Sequence, residues 1–181
     1  MFKRFSTEEV SSISKVKSSV ARSIRARLIE AYPLLEEVIE EVMPKKTPLH
    51  AAKAPDNVMI YVVDGQGMCF TNRNNDIFPT LRLLHRCPAV MDRWVVDKGA
   101  IRFVMGGANV MCPGLTHPNA RMDVDVPLGR PVAIYAEGKE NAMAIGTTLM
   151  TRGDITSKNK GLAVETLHFL NDGLWCTTDF E

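Results

Sequence analysis

Asp97-Lys-Gly-Ala-Ile-Arg-Phe-Val-Met-Gly-Gly-Ala-Asn-Val-Met-Cys-Pro-Gly-Leu-Thr116 reads as a short helix, a Gly-Gly break, a strand and a second glycine turn. Asp97 is placed to cap the helix by accepting from its first free N–H groups. Ala100, Ile101, Phe103, Val104 and Met105 supply an apolar stripe. Gly106 falls where a left-handed C-terminal cap is wanted, a conformation that glycine adopts at little cost. Gly107 leaves the backbone bare beside the helix end. A glycine loop with open N–H groups, flanked by Lys98 and Arg102, approaches a phosphate closely. The same glycines also serve as a plain helix stop, which is their commoner use.

Around this stretch, composition bounds the answer. The chain has 181 residues, 45% of them hydrophobic and 24% charged, which suffices for one domain or two small ones with a proper core. No apolar run approaches the length of a membrane-spanning helix. Met1-Phe-Lys-Arg-Phe-Ser6 has basic residues with no apolar segment after them, so a secretory signal is not expected. Cys69, Cys87, Cys112 and Cys176 form no Cys-x-x-Cys pair, which argues against a zinc site and for reduced cytosolic thiols. Cys112 lies five residues before His117, but a free cysteine in an apolar strand is more often a small buried hydrophobe than a nucleophile. No catalytic residue, metal or cofactor is assigned.

Net charge is only +1, so its distribution carries the information. Residues 1–30 hold seven Lys/Arg against three Glu, and residues 73–102 hold six against three Asp. Residues 121–181 hold six Lys/Arg against nine Asp/Glu. Positive charge gathers upstream and around the glycine segment, while the C-terminal third is acidic.

Local patterns place the other elements. Ser6-Thr-Glu-Glu9 fits a capping box, and Val10, Ile13, Val16, Val20, Ile24 and Leu28 follow at helical spacing, with Lys15, Arg22 and Arg25 on the opposite face as a solvated surface or, alternatively, a phosphate-contacting stripe. Pro33 suits the first turn of a second helix with Leu34, Leu35, Val38, Ile39 and Val42 facing the core. Glu36, Glu37, Glu40 and Glu41 make its outer face acidic. Met43-Pro44 ends it, and Lys45-Lys46 opens an exposed loop to about Asn57. Val58–Val63 and Met68–Thr71 read as strands around an Asp64-Gly-Gln-Gly67 turn, and Asn72–Phe78 as loop. Pro79–Arg86 reads as a short helix with Leu81, Leu83 and Leu84 inward and Arg82 and Arg86 on one face. Asp92-Arg-Trp94 marks a domain boundary. Beyond it come a strand at Val95-Val96, a hairpin of Val132–Ala136 with Asn141–Leu149, a polar helical turn or loop at 153–160, and a strand at Leu162–Phe169. Gly173-Leu-Trp175 reads as the end of the last strand. Short strands with frequent turns point to a small barrel.

The opening stretch resembles the first helix, glycine loop and second strand of a PUA domain, an RNA-binding module. Lys98, Gly106-Gly107, Asn109, Val110-Met111 and Pro113-Gly114 carry the match, which continues through Pro131–Gly146 and Leu167–Trp175. The whole chain is similar to the malignant T-cell amplified sequence family. The residues that carry this are Met1-Phe-Lys3, Met43-Pro-Lys-Lys46, Pro79-Thr-Leu-Arg-Leu-Leu-His85, Val96-Asp-Lys-Gly-Ala-Ile101, Met111-Cys-Pro-Gly-Leu-Thr116 and Leu170-Asn-Asp-Gly-Leu-Trp175. The resemblance implies an α+β protein: a small N-terminal α/β domain over residues 1–91, then a PUA-type pseudo-barrel over 92–181.

It further implies a non-catalytic cytoplasmic translation factor that pairs with density-regulated protein on the small ribosomal subunit. There the pair places or releases tRNA in re-initiation and post-termination recycling, with the PUA surface at the tRNA acceptor end. By position, the RNA surface comprises Lys98, Arg102, Gly106, Gly107, Ala108, Asn109 and Gly114. Lys45, Lys46, Arg82 and Arg86 are the candidate ribosomal RNA contacts of the N-terminal domain. The alternatives are an accessory RNA-binding subunit of an RNA-modification enzyme and a protein-interaction scaffold. Residues 1–91 hold no paired carboxylates on one loop, no Gly-rich nucleotide fingerprint and no clustered His and Cys, which weighs against a catalytic domain there.

Overall fold

The computed structural model describes residues 1–180. Two compact units emerge: Arg4–Val90 with the segment from Cys176 onward, and Met91–Trp175 with Met1–Lys3. The first unit holds a five-stranded antiparallel sheet in sequence order: β1 (Ser12–Lys15), β2 (Leu49–Lys53), β3 (Met59–Val63), β4 (Gln66–Thr71) and β5 (Ile77–Pro79). Helix α1 (Ser18–Ala31), the short α2 (Ile39–Val42) and α3 (Leu81–Arg86) accompany it.

Several local expectations are corrected here. The periodic stretch from Val10 to Leu28 is not one helix. A single 3-10 turn (Thr7–Glu9) is followed by β1, and α1 starts only at Ser18. Serine at 11, 12 and 14 with β-branched Ile13 makes a poor helix interior, and pairing with β2 decides the matter. That β2 lies inside the stretch read as loop, as does β5 in the stretch 72–78. The second helix is broken into a 3-10 turn (Pro33–Leu35) and α2, and Leu34 is 57% exposed. Arg25, read as solvated, is buried: its Nε donates to Met43 O (2.8 Å) and its Nη2 to Pro44 O (2.7 Å). It satisfies carbonyls that the end of α2 leaves open.

Other local readings hold with shifted bounds: Gln66 and Gly67, read as turn, already belong to β4, and Pro79, read as helical, ends β5. Asp64 (φ 48°) and Gly65 (φ 72°) are both left-handed, which gives the two-residue turn joining β3 to β4. The α3 helix starts after Thr80, whose hydroxyl accepts from Leu83 N, and it buries Leu81, Leu83 and Leu84.

The second unit is a curled half-barrel of five strands: β6 (Arg93–Val96), β7 (Val110–Met111), β8 (Pro131–Ala136), β9 (Ala144–Thr148) and β10 (Leu162–Phe169). Their order is β6-β8-β9-β10-β7, with β6 and β8 parallel and the rest antiparallel. Between them lie α4 (Ile101–Met105), α5 (Cys112–Thr116), α6 (Arg152–Lys158) and, at the end, α7 (Gly173–Cys176). The core gathers Trp94, Val104, Val110, Ile134, Ile155, Val164 and Phe169. Two expectations change here. Pro113-Gly114 sits inside α5 rather than forming a bare turn, and Gly173-Leu-Trp175 is helical rather than strand. Asp172 explains the latter, since its Oδ1 accepts from Trp175 N at 2.8 Å and caps α7. Its other oxygen accepts from Phe169 N (2.9 Å) and lies 2.7 Å from His168 Nδ1, all fully buried.

Gly146 faces β10 with no room for a side chain. A Cβ there would collide with the Glu165 carbonyl oxygen and with Val164 Cγ1. Gly146→Ala is therefore expected to destabilise the second unit by about 1–3 kcal/mol, measured by urea unfolding. A change within error would mean that β9 and β10 are not packed this closely.

Candidate nucleic-acid interface

Asp97 carries out its expected role, with Oδ2 accepting from Gly99 N at 2.7 Å at the start of a 3-10 turn (Lys98–Ala100) that runs into α4. The end of α4 departs from expectation in one respect. Gly106 has φ −85°, and the left-handed residue is Gly107 at φ +82°. Gly107 N donates to Val104 O (2.9 Å) and Ala108 N to Phe103 O (2.9 Å), while Gly106 N is shared between Arg102 O and Phe103 O (3.1 Å each). These bonds make a Schellman cap with Gly107 at its left-handed position.

One consequence corrects the chemistry read from the glycines. The N–H groups of Gly106, Gly107 and Ala108 are all engaged within the chain, so none is open to a phosphate. The loop is also fastened to β10. Thr166 Oγ1 donates to Ala108 O, and Thr166 N donates to Asn109 Oδ1, each at 2.9 Å. Gly107 has a further reason to be glycine, because a Cβ would lie 2.8 Å from Phe169 Cζ.

With the loop so held, α4, β7 and α5 enclose a pocket of about 510 Å³. Asp97, Gly99, Ala100 and Phe103 line one side of it. Ala108, Asn109, Met111, Pro113, Gly114, His117 and Leu162 also line it, with Val104 and Val110. Its walls are mostly apolar, yet Phe103, Met111 and Leu162 are 54%, 48% and 45% exposed. Met111 and Leu162 stand side by side as a cross-strand pair of β7 and β10. The Arg102 guanidinium lies over the Phe103 ring, 4.7 Å from its centroid. Lys98 is exposed between Asp97 and Gly99. Gly114 keeps the floor low, since a Cβ there would stand 3.3 Å from Ala100 Cβ. The pocket's apolar rim is not legible in the sequence, where Phe103 reads as one member of the helix's apolar stripe.

The cysteine beside this site is inert. Cys112 is buried, with Sγ 3.4 Å from Lys160 O and 3.6 Å from Met150 Sδ, and burial pushes its thiol up. His117 Nδ1 instead accepts from Asn119 N. Among the described residues no cluster of His, Cys, Asp and Glu is arranged for a metal, and no helix is long and apolar enough to cross a membrane.

The basic residues singled out in the first unit lie on separate elements. Lys45 Nζ pairs with Glu40 at 2.8 Å, which holds that carboxyl below its ordinary range, and Lys46 is exposed beside it. On α3, Arg82 donates to Thr177 O (3.4 Å) and Arg86 to Gln66 Oε1 (3.0 Å).

The two units and the pocket define a pre-PUA/PUA protein. A Pre-PUA-like domain model matches residues 5–88, and the model described as "elF2D, PUA domain" matches 94–173. The chain belongs to the malignant T-cell-amplified sequence family. It is 49% identical to the malignant T-cell-amplified sequence 1 homolog of Drosophila melanogaster over 97% of both chains. It is 44% identical to translation machinery-associated protein 20 of Saccharomyces cerevisiae, again over 97% of both. Among solved structures, a hypothetical protein of Pyrococcus horikoshii superposes with TM-score 0.70 at 26% identity, covering 91% of this chain and 98% of that one. A PUA domain protein of Aeropyrum pernix shares the fold with TM-score 0.70 at 23% identity, covering 93% and 92%.

Two outcomes follow. Gly107→Ala combines a left-handed backbone with a ring collision and is expected to lower stability by about 2–3 kcal/mol in urea melts, against under about 1 kcal/mol for Gly106→Ala. In a thiol titration at about pH 8, exposed Cys176 is expected to react first and buried Cys69 and Cys112 only on unfolding.

Proposed function

We propose that this chain is a non-catalytic RNA-binding translation factor of the cytoplasm. It acts with density-regulated protein on the small ribosomal subunit, where it positions or releases tRNA in re-initiation and post-termination recycling. The observation that carries the reading is the preformed pocket at α4, β7 and α5, with an exposed aromatic ring at its rim and two cations beside it. Single-stranded RNA ends are recognised by stacking unpaired bases on aromatic and apolar faces while cations meet the phosphates. The family match and the name of the yeast relative support placing this chemistry on the translation machinery.

In this reading the tRNA acceptor end enters the pocket, with a base on Phe103 and its phosphates near Lys98 and Arg102. Gly106, Gly107, Ala108 and Asn109 build the wall, and Gly114 leaves room at the floor. Lys46 and Arg86, both exposed, are the foremost candidates there for ribosomal RNA, with Lys45, which is paired with Glu40, and half-buried Arg82 supporting.

The test is tRNA binding by the chain with density-regulated protein and small subunits, followed across salt. Lys98→Glu with Arg102→Glu is expected to reduce the salt slope by about two units. Phe103→Ala is expected to weaken binding by about 1–3 kcal/mol with little change in slope. Unchanged affinity in both variants would remove this surface from the reading.

A further inference from the structure

The first unit leaves one edge of its sheet open. Strand β1 ends the sheet order, and all four of its residues are exposed. Val16 N donates to Leu49 O, and the register pairs Ser14 with Ala51 and Ser12 with Lys53. In an antiparallel ladder the hydrogen-bonded pairs alternate, so the N–H and C=O groups of Ile13 and Lys15 point away from β2. These two residues offer a fresh edge to another strand.

A pocket of about 370 Å³ adjoins that edge, lined by Ile13, Pro48, His50, Val62, Asp64, Gly65 and Phe180. Ile13 pairs with Ala52 and Ala52 with Ile60, while Lys15 pairs with His50 and His50 with Val62. Paired residues share a sheet face, so Ile13, Lys15 and the pocket lie on one side. Ile13 is 44% exposed. Charge then selects the occupant. Lys15 on β1 and Lys17 two residues beyond it are exposed, and neither is in a salt bridge with another described residue. A second copy pairing edge to edge would bring these lysines together, which is a usual device against self-pairing.

We propose that β1 is a strand-addition site for an extended partner peptide that sets an apolar side chain beside Ile13 in the pocket and an acidic one opposite Lys15. Main-chain bonds to Ile13 and Lys15 supply affinity, and the alternation of side chains supplies selectivity. The site is separate from the RNA-facing pocket, so it stands or falls independently.

The probe is an acetylated, amidated octapeptide of the repeating unit Thr-Leu-Thr-Glu, titrated against the full chain. It is expected to bind about tenfold more tightly than its Lys-for-Glu counterpart and than a version N-methylated at alternate residues. Binding should slow amide exchange at Ile13 and Lys15. Lys15→Glu with Lys17→Glu should reverse the charge preference, and because both side chains are exposed the fold is kept, as circular dichroism checks. Absence of binding, equal binding of all three peptides, displacement by a single-stranded RNA, or a chain that dimerises through β1 would each overturn the proposal.

Discussion

The left-handed turn at Gly107 is the constraint on which the candidate RNA surface depends. It reverses the chain beneath the Phe169 ring, where no side chain fits, and closes the last turn of α4 on itself. Thr166 then holds the following residues against β10 by two hydrogen bonds. The walls of the pocket are thus set before any ligand arrives, which spares a ligand the ordering of the loop. The same bonds occupy the backbone donors. In the proposed reading, recognition is left to side chains: a ring, two cations and an apolar rim. A phosphate nest and a capped helix are competing uses of the same N–H groups, and here the cap wins.

A second constraint is polar and buried. Asp172 accepts from Phe169 N and Trp175 N and meets His168 Nδ1, so a carboxylate with no solvent has both oxygens engaged. Such a group is costly to bury alone and tolerable when fully bonded. It ends β10, starts α7, and sits beside the point where Gly173 N donates to Phe2 O and the Phe2 ring meets His168 edge-on at 5.9 Å. The first residues of the chain are thereby held in the second unit.

How much of this was legible depends on the range of the interactions. The Asp97 cap, the Asp64-Gly65 turn, the β8–β9 hairpin and α6 are decided within a few residues, and local reading finds them. Gly106-Gly107 was legible as a cap, but that Gly107 must also lack a side chain depends on Phe169, far along the chain. The helix read through Val10, Ile13 and Val16 failed because spacings of three and four accommodate apolar residues that end up on different elements. Ile13 is exposed, and only pairing with β2 makes that segment a strand. Arg25 looked solvated because a pattern of charge carries no information about the carbonyls of Met43 and Pro44. Asp172 was the opposite case, since its capping partner is only three residues away. It was missed because the apolar Leu-Trp after it had been taken as strand.

The candidate site was half legible for a related reason. Lys98 and Arg102 stood out by charge, but Phe103 was absorbed into an apolar stripe. Helix α4 has five residues and fully buries only Val104. Ile101 and Met105 pack partly buried against the core around Val104, which leaves Phe103 as the apolar side chain of this helix that faces solvent. Strand β7 repeats the point in two residues, since Val110 is buried and Met111 is turned out against Leu162. Glycines record what the backbone needs. Exposure alone does not mark a site, since Leu34 and Leu128 are as exposed as Phe103; what sets Phe103, Met111 and Leu162 apart is that they stand together around one pocket.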